Sequence, residues 1–256
     1  MKAIQTNKVN SFENWRINNI NLYGNFIWPQ INYNVENADI ISIIFEEKNN
    51  INNALDYILC KIQNLPYFVL NFQDSKSKYY TNGYDLKAKI GLRLYKEFKG
   101  NCNSYWQYRL QTKPQNCLTA DIDSLEVSNN GKFIGIEAAY LFCTDSIDLA
   151  IPNIFNTFKF RVNQVNEKQY LSQYKLMRLL HGESFILFHM INKEDNSVNT
   201  SNNVLLLKND NSFCDMLVAI KYLEKNKFIE KYREYFKKNI FVFKNIYEVY
   251  DYIKNL

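Results

Sequence analysis

The sequence is poor in the residues on which several enzyme classes depend. Among its 256 residues are two histidines, seven glycines, four prolines and five cysteines. The two histidines, His181 and His189, leave little room for a histidine-rich zinc site. The glycines stand at 24, 83, 91, 100, 131, 135 and 182 and form neither G-x-G-x-x-G nor G-x-x-x-x-G-K, which argues against nucleotide-loop enzymes. The cysteines form no C-x-x-C pair, and an odd number at scattered spacing argues against a disulfide framework and for a reducing, cytoplasmic compartment. Residues 1–10 lack the apolar stretch of a secretory signal. The longest apolar run, Phe185 to Ile191, is interrupted by His189 and too short to cross a bilayer. No membrane partner is expected. The excess of positive charge is also small: 31 Lys and Arg against 26 Asp and Glu give +5, which permits a nucleic-acid partner without requiring one. Chemistry here would run on carboxylates, lysines or cysteine.

Periodicity supplies an outline. Alternating or β-branched runs predict strands at 39–46, 67–72, 120–128, 132–142, 184–191 and 204–208. Apolar residues at helical spacing predict helices at 52–63, 84–98, 166–180, 214–225, 228–238 and 245–255. Residues 101–118 read as irregular. The polar stretch 74–83 divides an N-terminal region (1–80) from a core with C-terminal helices (81–256). The fold class expected is mixed α/β (α+β), a central mixed sheet flanked by helices, with an additional N-terminal α/β region.

The segment most open to chemical argument is the hairpin around Asn129-Asn130-Gly131, a strong turn signal. Its first strand carries Asp121, Asp123 and Glu126; its second carries Glu137 within an apolar run. With a three-residue loop, Ser128 stands opposite Lys132, Asp123 opposite Glu137, and Asp121 opposite Ala139. Alternation then puts Asp121, Asp123, Glu137 and Ala139 on one face. Facing carboxylates repel unless a cation lies between them. Mg²⁺, a hard ion that keeps several waters, suits such a pair. The competing reading is a solvated strand edge, with Glu137 paired to Lys159, Lys175 or Arg109.

The order A-D-I-D-S-L-E, N-N-G-K, I-G-I-E-A-A-Y resembles the core hairpin of the PD-(D/E)xK nuclease superfamily, over about residues 84–208. The resemblance implies a restriction-endonuclease-like sheet and Mg²⁺-dependent hydrolysis of DNA, double-stranded in the first instance, in prokaryotic restriction or anti-phage defence. It implies that Asp123 and Glu137 hold one or two Mg²⁺ ions, with Asp121 as the second choice on the first strand. It also implies a site-facing glutamine on the following helix, Gln169 or Gln173, and Glu97 as a further acid. A homodimer would match a two-fold-symmetric target. Phosphate contacts are expected from Lys99, Arg109 and Lys113, and basic residues of the C-terminal helices are further candidates, although their interleaved glutamates also suit a solvated face.

One position departs from the family. Residue 139 is Ala where the family has the lysine that attends the attacking water. Three explanations are open: an inactive Lys-to-Ala variant, a lysine supplied from another element, or a catalytically silent relative that binds DNA or protein. RNA is an alternative substrate. His181 suits a helix end and His189 a buried strand position.

Overall fold

The computed structural model describes residues 11–24, 26–46, 59–60, 62, 65–81, 85–86, 102, 104–112, 114–141, 146–162 and 167–256. The elements, in chain order, are α1 (Ser11–Asn18), α2 (Ile20–Tyr23), β1 (Pro29–Asn34), β2 (Ile40–Glu46), β3 (Tyr67–Leu70), α3 (Tyr105–Thr112), β4 (Cys117–Asp121), β5 (Ser124–Val127) and β6 (Phe133–Tyr140). There follow α4 (Ile147–Val162), α5 (Lys168–Leu179), β7 (Glu183–His189), β8 (Val204–Lys208), α6 (Asn211–Ile220), α7 (Lys225–Asn239), β9 (Ile240–Phe243) and α8 (Ile246–Lys254). Most of the expected helices at 52–63 and 84–98, Glu97 included, lie outside the described residues.

The fold is mixed α+β with two mixed sheets flanked by helices. One sheet has the order β3-β2-β1-β4, the other β5-β6-β7-β8-β9. In the second sheet β6 and β7 run parallel, and the crossover between them carries α4 and α5. Both faces of this sheet are covered. Ile134, Ile136, Phe185 and Leu187 pack under α1 and α8, against Phe12, Trp15, Val249 and Tyr250. Ala139, Ile186, Phe188 and Leu205 pack on the opposite side with Phe158, Phe213 and Phe236 of α4, α6 and α7. A strand buried on both faces reads as an unbroken apolar run, which is why β7 and β8 were legible.

The hairpin has the expected register: Ser124 pairs with Ile136, Glu126 with Ile134 and Val127 with Phe133. Gly131 closes the turn in the left-handed region at φ 76°, and Ser128 N–H donates to Lys132 O at 2.9 Å. Helix α5 then lies close over β6. A Cβ at Gly182 would fall 2.3 Å from Phe133 O, so the chain leaving α5 requires glycine there for space. The left-handed residue at that helix end is His181, at φ 53°.

Four findings differ from the sequence expectations. Residues 105–112 form α3 and are not irregular: Ser104 Oγ accepts from Gln107 N–H at 3.2 Å and starts the helix. Helices α1 and α2, strand β1, helix α4 with Pro152 inside it, and the short β9 had no counterpart. The expected strand 120–128 is two strands, in different sheets, broken at Ile122-Asp123. Residues on the two sides of position 80 share the first sheet, because β4 pairs with β1.

Candidate functional site

The break at Ile122-Asp123 shapes the site. Strand β4 pairs antiparallel with β1, with Ile31 opposite Ala120 and Gln30 opposite Asp121. Ala120 belongs to the apolar cluster that includes Leu171 of α5, so even-numbered residues of β4 face α5. In β5 the phase is reversed: Leu125 and Val127 pack with Leu176 and Met177 of α5. Ile122, also in that cluster, therefore falls on the same side as Asp123. This is the behaviour of a β-bulge, which re-aims a side chain. The joint stays closed, since Ile122 N–H donates to Pro29 O at 3.0 Å and Leu125 N–H to Ile27 O at 2.8 Å.

The phase change separates two aspartates expected on one face. Asp123 lies in the bend just before β5, whose first pair is Ser124 with Ile136, and its Oδ2 accepts from the Ala138 N–H at 2.7 Å. Asp121 instead falls on the face covered by α3. It lines a cavity of about 160 Å³ with Glu13, Trp28, Gln30, Glu46 and Ser104. The Asp121 side chain thus leaves the face of Glu137, while its backbone carbonyl accepts from α5.

Helix α5 supplies the contacts to Glu137. Gln169 and Gln173, one turn apart, both reach Glu137. Gln169 Nε2 donates to Oε1 at 3.2 Å and Gln173 Nε2 to Oε2 at 2.8 Å. Gln173 Nε2 also donates to Asp121 O at 2.7 Å, tying the bulge to Glu137. Gln173 is 2% exposed, and its Oε1 is buried with no hydrogen-bond partner among the described residues.

The other predicted positions are dispersed. Ala139 is 1% exposed within the apolar cluster around Phe158 and Phe188. Arg109 Nη1 donates to Cys117 O at 3.2 Å, so its guanidinium serves the α3–β4 contact. Lys99 and Lys113 lie outside the described residues. Lys159 donates to Ile220 O and Lys175 to Asn37 O, away from Glu137. On α7, Lys237 and Lys227 pair with Glu234 and Glu224 three residues away, as a solvated face does. His189 is buried with Nδ1 3.1 Å from Met190 O, and burial holds its pKa below the ordinary value.

No local sequence pattern marks out the other strand-borne glutamate of this hairpin as an anchor. Glu126, on the opposite face of the same hairpin, is fully buried. It takes Arg16 Nε at 2.7 Å and Nη2 at 3.0 Å, Lys254 Nζ at 2.8 Å and Ser124 Oγ at 2.6 Å. Burial would raise its pKa, but the hydrogen bonds and charges of Arg16 and Lys254 outweigh that and hold it below the usual carboxylate range. Its charged partners are 110 and 128 residues distant, beyond any local signal.

No family model, curated protein or solved structure matches this chain. Among the described residues no helix is long and apolar enough to cross a membrane. Nor do three His, Cys, Asp or Glu side chains among them converge as a metal cage.

Proposed function

We propose that the chain is a nuclease-fold protein of the PD-(D/E)xK type, with a restriction-endonuclease-like core, whose Asp123–Glu137 pair holds Mg²⁺ against a DNA phosphodiester. The reading rests on one observation above all: Asp123 accepts from the backbone N–H next to Glu137, at Ala138, and both carboxylate oxygens of Glu137 are held by carboxamides from the next helix. The donor set fits the ion. Asp123 and Glu137 offer hard oxygens, the buried Gln173 Oε1 is one more oxygen in need of a partner, and Mg²⁺ keeps waters where protein ligands are few. A bound Mg²⁺ would supply an acidified water and neutralise charge developing on the phosphate. The Ala138 N–H fixes Asp123, and Gln169 and Gln173 fix Glu137. With Ala at 139 no side chain attends the water, so metal and DNA bind while turnover stays low. Prokaryotic restriction or anti-phage defence, a cytoplasmic setting and a dimer are the biological context the resemblance suggests.

The test has two parts. Titration calorimetry should give Mg²⁺ or Mn²⁺ binding to the unaltered protein and none to Asp123→Asn or Glu137→Gln. Ala139→Lys should then gain Mg²⁺-dependent cleavage of duplex DNA. Failure of the titration would sink the reading.

A second reading is favoured by the packing of Ala139 in an apolar cluster. Such a site suits a catalytically silent module that binds DNA or protein. Metal binding without rescue by Ala139→Lys would select it.

A further inference from the structure

The N-terminal region offered no readable chemistry in the sequence, yet one of its turns grips the helix that serves Glu137. Lys168 Nζ donates to Val35 O and Glu36 O, both at 2.6 Å. Lys175 Nζ donates to Asn37 O at 2.8 Å and meets Asp39 Oδ1 at 2.6 Å. Every residue from 35 to 39 except Ala38 thus gives an oxygen to α5. Ala38 instead docks directly: it is fully buried, in the cluster that includes Leu171. It does so at φ 61°, a conformation that disfavours alanine and persists only where the surroundings impose it.

The turn is itself rigid. Ala38 N–H donates to Asn34 O at 2.9 Å, Glu36 N–H to Asn34 Oδ1 at 2.7 Å, and Asp39 N–H to Asn37 Oδ1 at 3.0 Å. On α5, Lys168, Leu171 and Lys175 follow the i, i+3, i+7 spacing of one stripe, and Gln169 and Gln173 form the stripe beside it. A helix held at both ends of one stripe is fixed in rotation and along its axis, so the neighbouring stripe is fixed too.

We infer that the β1–β2 turn, through Lys168 and Lys175, is the positioning device that sets the two glutamines on Glu137. The lysines are positioning residues: they touch the turn and act on Glu137 only through α5. The inference rests on the proposed role of the Asp123–Glu137 pair for its metal readout, but not for its structural one. Groups that orient a metal ligand typically govern affinity by about tenfold or more when lost.

The experiment compares unaltered protein with Lys168→Met/Lys175→Met, Lys175→Met alone and Lys168→Arg/Lys175→Arg. In metal-free protein, NMR reads the side-chain amide resonances of Gln169 and Gln173. Calorimetry reads Mn²⁺ affinity. The double Met variant should shift those two amide signals, with most others unmoved, and weaken Mn²⁺ about tenfold. The single variant should do less, and the Arg pair should restore both readouts. If the double variant does not fold, the single and Arg variants carry the comparison. Amide signals and affinity unchanged in folded Met variants would overturn the inference, as would tighter Mn²⁺ binding. Should the unaltered protein bind no Mn²⁺ while the amide signals still move, the metal reading fails and the positioning role stands.

Discussion

Glu126 and Glu137 lie on paired strands of one hairpin, on opposite faces, and are held in opposite ways. Glu126 is sealed: two cations and two hydroxyls, of Ser124 and Tyr250, occupy it, and no solvent reaches it. Glu137 is half-buried and gripped by two neutral carboxamides. Cations cancel a carboxylate's charge, whereas amides orient it and leave the charge in place. The first arrangement fastens elements together, and the second orients a carboxylate. Burial alone would have singled out Glu126 and passed over the glutamate on which the proposed function rests.

The sharpest way to break this comparison is stability. Glu126→Gln should cost about 3–5 kcal/mol in urea unfolding, because it leaves Arg16, itself fully buried, with an uncompensated charge. Glu137→Gln should cost less than about 1 kcal/mol, as expected away from sealed charge, while abolishing cation binding. Equal losses would erase the distinction between fastening and site.

Packing gives the next effect. Gly182→Ala places a Cβ 2.3 Å from a backbone oxygen, while Gly135→Ala meets the flexible Met177 Sδ at 2.8 Å. We expect about 2–3 kcal/mol for the first and about 1 kcal/mol for the second, by thermal unfolding. Gly182→Ala should also weaken cation binding, since α5 carries both glutamines.

Acid tests the Glu126 cluster directly. The pKa of Glu126 is lowered in the folded state, so its stabilisation is full above the ordinary carboxylate value, about 4.5, and is lost as pH falls through the lower folded value. Unfolding free energy measured from pH 6 to 2 should fall more steeply in the unaltered protein than in Glu126→Gln. The smallest effect belongs to the exposed pair Lys237–Glu234: Lys237→Ala should change stability by less than about 0.5 kcal/mol. A larger loss would mean that surface charge, and not the Glu126 cluster, carries the electrostatic stability.

How much of this was legible follows from the range of each interaction. The hairpin register could be counted from the Asn129-Asn130-Gly131 turn because a turn fixes alternation locally. The glutamines were named only through the resemblance, which implied one site-facing glutamine, Gln169 or Gln173; both reach Glu137 because residues four apart on a helix share a face. The bulge was not: one extra residue at Ile122-Asp123 reverses the phase without changing the pattern's composition, so Asp121 was placed on the wrong face. Helix α4 was hidden behind Pro152, and α3 behind a run of aromatic residues. The Arg16–Glu126–Lys254 cluster joins positions that only the finished fold brings together.

That cluster also sets where mechanical load travels. Helix α1 contributes Arg16 and helix α8 contributes Lys254, and Tyr250 of α8 lies tilted against Trp15 with ring centroids 5.0 Å apart. Pulling on either helix draws first on the other and on β5, not on the strands between them in sequence. In a single-molecule stretching experiment the two helices should release in one step, with the strand that carries the bulge.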